Sequence, residues 1–144
     1  MSRPVTPALT VDIIIELKNV PLRPIVLIER KYPPLGWAIP GGFVDVGETI
    51  ETAARREALE ETHLQVDLLK LLGVYSNPHR DPRGHTVSLV YIAEATGEPV
   101  ADDDAKSVAI YVLDALPAAY TFDHHVILQD YRHYRETGML PNVS

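Results

Sequence analysis

The chain has 144 residues and a mass of 16.0 kDa, the size of one ordinary domain, with 46% apolar and 23% charged residues. It contains no cysteine, which excludes disulfides, thiolate catalysis and cysteine-based zinc sites. Thirteen Lys and Arg against 20 Asp and Glu give a formal charge of −7, a balance that argues against nucleic-acid or anionic-membrane partners while leaving room for a local basic pocket. The most apolar stretches, Val11 to Leu17 and Val87 to Ala93, fall far short of the roughly 20 residues a membrane span needs. The first ten residues lack the apolar run of a secretory signal. Composition thus predicts a single domain over residues 1–144, cytoplasmic, with no membrane and no nucleic-acid partner.

Residues 11–17 are rich in β-branched side chains and predict a strand, as does the nearly continuous apolar run 24–28, which suits a strand covered on both faces. Pro33 and Pro34 impose a loop. Short strands at 37–39 and 43–44 are expected to flank Pro40-Gly41-Gly42. From Thr49 the pattern turns helical: Thr49 can cap, Glu51 sits in the positive first turn, and Ala53, Ala54, Ala58 and Leu59 favour a helix over about 50–62. Strands follow at 68–75 and 87–93, joined by a loop in which Asp81-Pro82-Arg83-Gly84 fits a type I turn. An acidic loop at 101–105 leads to a strand at 108–113. Asp123 is expected to cap a last helix to about Thr137, stopped by Gly138 and Pro141. The order β-β-β-α-β-β-β-α predicts an α/β mixed sheet with helices packed against it.

The chemistry concentrates in one helix. At 100° per residue, Glu57, Glu60 and Glu61 share an arc of roughly 100° near its C-terminal end. Such a cluster repels itself in water. A hard divalent cation relieves the conflict, because Mg²⁺ takes oxygen ligands and keeps waters or phosphate oxygens in its remaining positions. Gly41 and Gly42 would let a backbone carbonyl approach the same ion. By itself, an E-x-x-E-E run is most often a solvated helix face. Here it follows Gly42, Glu48 and Arg56 at fixed intervals.

Written out, Gly42, Glu48, Arg56, Glu57, Glu60, Glu61 and Leu64, with Ala58 at an aliphatic position, match Gly-x5-Glu-x7-Arg-Glu-U-x-Glu-Glu-x-Gly-U, and the chain thereby resembles the Nudix hydrolases. The pattern's last glycine is His63 here. A residue at that helix end is commonly left-handed, so a β-carbon there carries strain of about 1 kcal/mol. The resemblance implies an α/β/α sandwich around a mixed sheet and hydrolysis of a nucleoside diphosphate linked to another moiety. It further implies Mg²⁺, or Mn²⁺ in its place, held by Glu57, Glu60, Glu61 and the Gly41 carbonyl, with Arg56 and Glu48 orienting the carboxylates. A homodimer is implied by family likeness alone.

Outside this box, segments 28–44, 80–85 and 103–105 resemble the small ADP-ribose pyrophosphatases of the family. Arg30, Arg80 and Arg83 then become candidate forked donors to a diphosphate, although Arg80 and Arg83 also suit a solvated turn and Lys31 a plain surface position. Asp103 or Asp104 is a candidate extra metal ligand or general base. Trp37 suits a core position better than a base-stacking one. His79, His85, His124 and His125 match no zinc spacing. The leading expectation is hydrolysis of ADP-ribose to AMP and ribose 5-phosphate. The alternatives are another Nudix substrate, a dinucleotide or damaged nucleoside triphosphate, and a nucleotide-sugar sensor without turnover.

Overall fold

The structure, a computed structural model, describes residues 2–142. The outer limits of the expected domain, Met1 and residues 143–144, lie outside the described residues. Strand β1 runs Ala8–Leu17, β2 Ile25–Arg30, β3 Trp37–Ala38 and β4 Gly41–Phe43. Helix α1 spans Ile50–Thr62, followed by β5 Asp67–Tyr75, β6 Thr86–Ala95, β7 Ala105–Tyr111 and helix α2 His124–Thr137.

The two-residue period of a strand explains the layering. Val11, Ile13, Ile15 and Leu17 of β1, with Val26 of β2, pack with Ala53, Ala54 and Ala58 of α1. Their neighbours Ile14, Ile25 and Leu27 point to the opposite face, where Ile127, Leu128 and Tyr131 of α2 cover them. Each fully buried Val, Ile or Leu among them contributes roughly 1.5–3 kcal/mol. The result is the expected mixed sheet with one helix on each face. Trp37 packs against the second cluster, its ring edge-on to Tyr111 at 5.3 Å.

β1 and β6 pair in parallel at the centre, from Ala8 opposite Thr86 to Leu17 opposite Ala95, and β5 lies antiparallel outside β6. On its other side β1 has two partners. Its first half pairs with β4, Asp12 opposite Gly41, and its end with β2, Glu16 opposite Ile25; β2 in turn carries β3 and β7. The handover from β4 to β2 opens the sheet beside Asp12, and a cleft sits there.

Three local expectations are corrected. Gly41 and Gly42 lie within β4 rather than between two strands, because a Cβ at Gly41 would strike the Val11 carbonyl and Asp12. The strand expected at 108–113 is shifted to Ala105–Tyr111: β2 pairs as far as Arg30 with Ala105 across a bulge, and Leu113–Ala115 turns into a 3₁₀ helix. Asp123 precedes α2 but makes no side-chain cap, since both its oxygens are taken by Arg80. Elsewhere local chemistry acts as expected. Thr49 Oγ1 accepts from the Thr52 amide, Gly138 ends α2 in the left-handed conformation, and the Gly84 amide closes the turn onto the Asp81 carbonyl.

Candidate active site

Helix α1 ends as the pattern of its sequence requires. His63 adopts φ 60°, ψ 21° and its amide donates to the Leu59 carbonyl at 2.9 Å. His63→Gly is therefore expected to leave turnover intact and to hold or slightly raise the melting temperature, because glycine enters the left-handed region freely. A lower melting temperature would reveal a compensating contact of the imidazole.

Arg56 organises the carboxylate face. Its Nε and Nη2 grip both oxygens of Glu48 at 3.1 and 2.6 Å, Nη2 also reaches the Phe43 carbonyl, and Nη1 bonds Glu57 and Glu60 at 2.8 and 3.2 Å. The fork thus fixes one oxygen of Glu57 and one of Glu60. Hydrogen bonds from Arg56 and from the Asp45 amide hold the Glu48 carboxyl below its ordinary range. Glu57 lies against the glycine pair, where a Cβ at Gly42 would sit 2.5 Å from its carboxylate.

Glu61 is the most enclosed of the three. Its Oε2 accepts from the Gly41 amide at 3.0 Å, and burial pushes its carboxyl up to about 8, with Glu57 and Asp12 adding to the rise. Burial also raises Glu57. Glu61 lines two adjoining hollows. The larger, a cleft of about 410 Å³, is shared by Glu57, Glu60, Arg30 and, from the loop before β7, Asp102 and Asp104. The smaller, about 50 Å³, holds Asp12, Gly41, Gly42, Arg80, Arg83 and Phe122.

Among the described residues no three carboxylate or imidazole groups are gathered closely enough to cage a cation unaided. Mg²⁺ does not need such a cage, because it commonly takes one or two carboxylates and completes its shell with water and phosphate. The donor set fits it. It is all oxygen, it crowds like charges onto one wall, and its deepest member accepts one amide hydrogen bond.

The three candidate arginines differ. Arg30 lines both hollows; burial lowers its pKa, and its Nε donates to the Pro34 carbonyl at 2.7 Å. Arg83 is half-exposed; its Nε and Nη2 bond both oxygens of Asp81 at 3.1 and 2.9 Å, leaving Nη1 open. Arg80 is buried, and its fork is spent internally: Nε and Nη2 grip Asp123 at 3.0 and 2.7 Å while Nη1 bonds Thr86 at 2.7 Å.

Sequence reasoning missed Asp12 and set His124 aside as a zinc ligand without giving it another role. Asp12 is buried in the wall of the smaller hollow, hydrogen-bonded by Ser88 Oγ and 3.9 Å from Arg80, and burial pushes its carboxyl up to about 6. His124 Nδ1 accepts from the Ile39 amide at 2.9 Å; burial drives its pKa down to about 3, so it stays a neutral acceptor that ties α2 to the corner leading into the glycine pair. The available signal for Asp12 was an acid inside an apolar strand, on the face shared with Ile14.

A carboxylate-bearing helix facing arginines across a cleft in a mixed sheet is the build of a hydrolase of phosphate anhydrides. The chain belongs to the Nudix family: the NUDIX domain model matches residues 6–131. An ADP-ribose pyrophosphatase of Methanocaldococcus jannaschii is 48% identical over 132 residues, covering 90% of this chain and 75% of that protein. A MutT/nudix family protein from Enterococcus faecalis superposes with a TM-score of 0.80 at 28% identity, covering 94% of this chain and 65% of that one. The NUDIX domain of Shewanella oneidensis NrtR, solved in complex with ADP ribose, superposes with a TM-score of 0.72 at 26% identity over 92% of this chain and 90% of that one. This chain thus spans three quarters of the first relative's length and just under two thirds of the second's.

Proposed function

We propose that the chain hydrolyses the diphosphate of ADP-ribose, giving AMP and ribose 5-phosphate. Mg²⁺, with Mn²⁺ able to replace it, would be held by Glu57, Glu60, Glu61 and the Gly41 carbonyl. The observation that carries the reading is the position of Glu61, which lines both hollows and so joins the carboxylate wall to the arginines. When bound, the cation supplies neutralisation of phosphate charge and acidification of water. The protein's own groups do the rest. Arg56 and Glu48 keep Glu57 and Glu60 in place, and Arg30 and Arg83 draw in the diphosphate. Asp104, across the cleft, accepts the proton of the attacking water as its oxygen bonds to phosphorus and the bridging P–O bond breaks. The likeness to a pyrophosphatase named for ADP-ribose and to a domain solved with that molecule supports this substrate. A cytoplasmic homodimer belongs to the same proposal, and light scattering tests the dimer.

With Mg²⁺, ADP-ribose is expected to be cleaved with a higher kcat/KM than 8-oxo-dGTP or dATP, measured in one steady-state comparison. Preference for a triphosphate would overturn the substrate while leaving the family untouched. Tight binding of ADP-ribose without turnover would turn the chain into a sensor.

A further inference from the structure

Phe122 has no part in the family pattern, yet three independent features meet on it. Its backbone is left-handed at φ 55°, a genuine outlier for a bulky residue. Its ring lies against two guanidinium groups at once, Arg30 at 5.2 Å and Arg83 at 5.1 Å from the ring centroid. The chain on either side is pinned: around the bridge of Trp37 with Tyr120, the Trp37 amide donates to the Ala119 carbonyl and the Thr121 amide to the Trp37 carbonyl, and His124 holds the Ile39 amide. The strain is thus imposed by fixed neighbours, and it delivers an aromatic face into the smaller hollow.

Two like charges drawn to one ring need a reason. Each guanidinium gains from the ring's negative face, while each repels the other, Arg83 acting to lower the Arg30 pKa. Asp81 neutralises Arg83, but among the described residues Arg30 has no ion-pair partner. The pair therefore carries one surplus positive charge beside the carboxylate wall of an acidic protein. That charge is complementary to an anion with several oxygens, and Arg83 also lies over Phe43 at 5.8 Å, at the edge of the glycine strand.

We propose that Phe122 is a positioning residue for substrate selection, its ring gathering Arg30 and Arg83 into a single diphosphate-binding pair. This deepens the reading under Proposed function and rests on it for the identity of the substrate, though not for the anion chemistry. A planar guanidinium presents its N–H donors at its edges, and with Arg30 Nε on Pro34 and Arg83 Nε and Nη2 on Asp81, the groups left for phosphate oxygens are Nη1 and Nη2 of Arg30 and Nη1 of Arg83. The selection is for a diphosphate-bearing ligand over the same nucleoside without phosphate.

The test uses inorganic pyrophosphate as probe, titrated calorimetrically into the whole chain with EDTA present, beside steady-state kinetics on ADP-ribose with Mg²⁺. Phe122→Gly keeps the left-handed backbone without steric cost, and Phe122→Tyr keeps the ring. Phe122→Gly is expected to weaken pyrophosphate at least about fivefold and to raise KM similarly with kcat little changed, while Phe122→Tyr stays within about twofold of wild type and adenosine affinity does not move. Unchanged pyrophosphate affinity in a folded Phe122→Gly protein would overturn the proposal, as would an equal loss of adenosine binding or failure of Phe122→Tyr to restore affinity. If Phe122→Gly does not fold, Phe122→Leu is titrated in its place against the same criteria. Loss of pyrophosphate affinity in a protein whose wild type ignores ADP-ribose would sustain the arginine pair and sink the substrate instead.

Discussion

Glu61→Gln is expected to lower kcat at least roughly 100-fold, the scale of losing an essential acid–base or metal-site group, and yet to make the cation-free protein more stable. The two effects share one cause. Glu61 is buried with Glu57 and Asp12 as like-charged neighbours, and its carboxyl is raised from an ordinary 4.5 to about 8. A raised carboxyl binds its proton more tightly in the folded state than in the unfolded one. Stability from this group is therefore greatest below about 4.5 and declines as pH climbs to about 8. Glutamine has no charge to bury. In EDTA, the melting temperature of Glu61→Gln should exceed that of wild type by an amount that grows from pH 5 to pH 8. Saturating Mg²⁺ should shrink the gap, because a ligand that binds only the folded state stabilises it. Near-normal turnover in a folded mutant would remove Glu61 from the metal site. No thermal gain at pH 8 would mean the carboxylate is solvated.

Arg80→Ala and Arg83→Ala should separate cleanly, although the two residues sit in one turn. The Arg80 side chain is 4% exposed and grips Asp123 with two bonds and Thr86 with a third. Truncation strands a largely buried carboxylate and removes the positive neighbour that lowers the Asp12 pKa. Breaking such a pair costs roughly 3–5 kcal/mol, which for a chain of this length corresponds to a melting temperature lower by roughly 10 °C or more. The Arg83 side chain is half-exposed but bonds both oxygens of Asp81, whose side chain is 3% exposed, and only the Arg83 amide remains as a donor to it when the side chain is gone. Arg83→Ala should therefore lower the melting temperature by less than Arg80→Ala does, because a half-exposed pair is screened and Asp81 keeps one amide donor, and should raise KM about tenfold with kcat little changed, the signature of a contact made equally to substrate and transition state. Denaturation curves and steady-state kinetics on both variants decide the matter. A stable Arg80→Ala with only a raised KM would make Arg80 a substrate contact after all.

What the sequence made legible was whatever a short window contains. The β-branched residues 11–17 and the apolar run 24–28 mark two adjacent strands, and the alanines of residues 50–62 mark α1. The fixed intervals from Gly42 to Leu64 placed Arg56 among Glu48, Glu57 and Glu60, contacts the structure makes. What stayed illegible depends on partners far along the chain. Asp12 looks like an interruption of an apolar strand until Ser88, 76 residues on, donates to it. Asp123 carries the local chemistry of a helix cap, but Arg80, 43 positions earlier, captures its carboxylate. The same event removed Arg80 from the pool of free cations. Local pattern names the residue types, and long-range pairing decides which of them remain available to a ligand.

The parallel ladder between β1 and β6 has a consequence for biogenesis. Its ten-residue register joins the first strand to one that begins at Thr86. During synthesis at about 5–20 residues per second, β1 must wait several seconds before its central neighbour leaves the ribosome. Until then β4 and β2 cover only parts of one flank, leaving an apolar strand with open backbone donors and acceptors on the other. Closure is non-local and slow by nature. A nascent chain halted before β6 should therefore be the form of this protein most dependent on chaperones, with protease resistance arriving only after β6 has emerged.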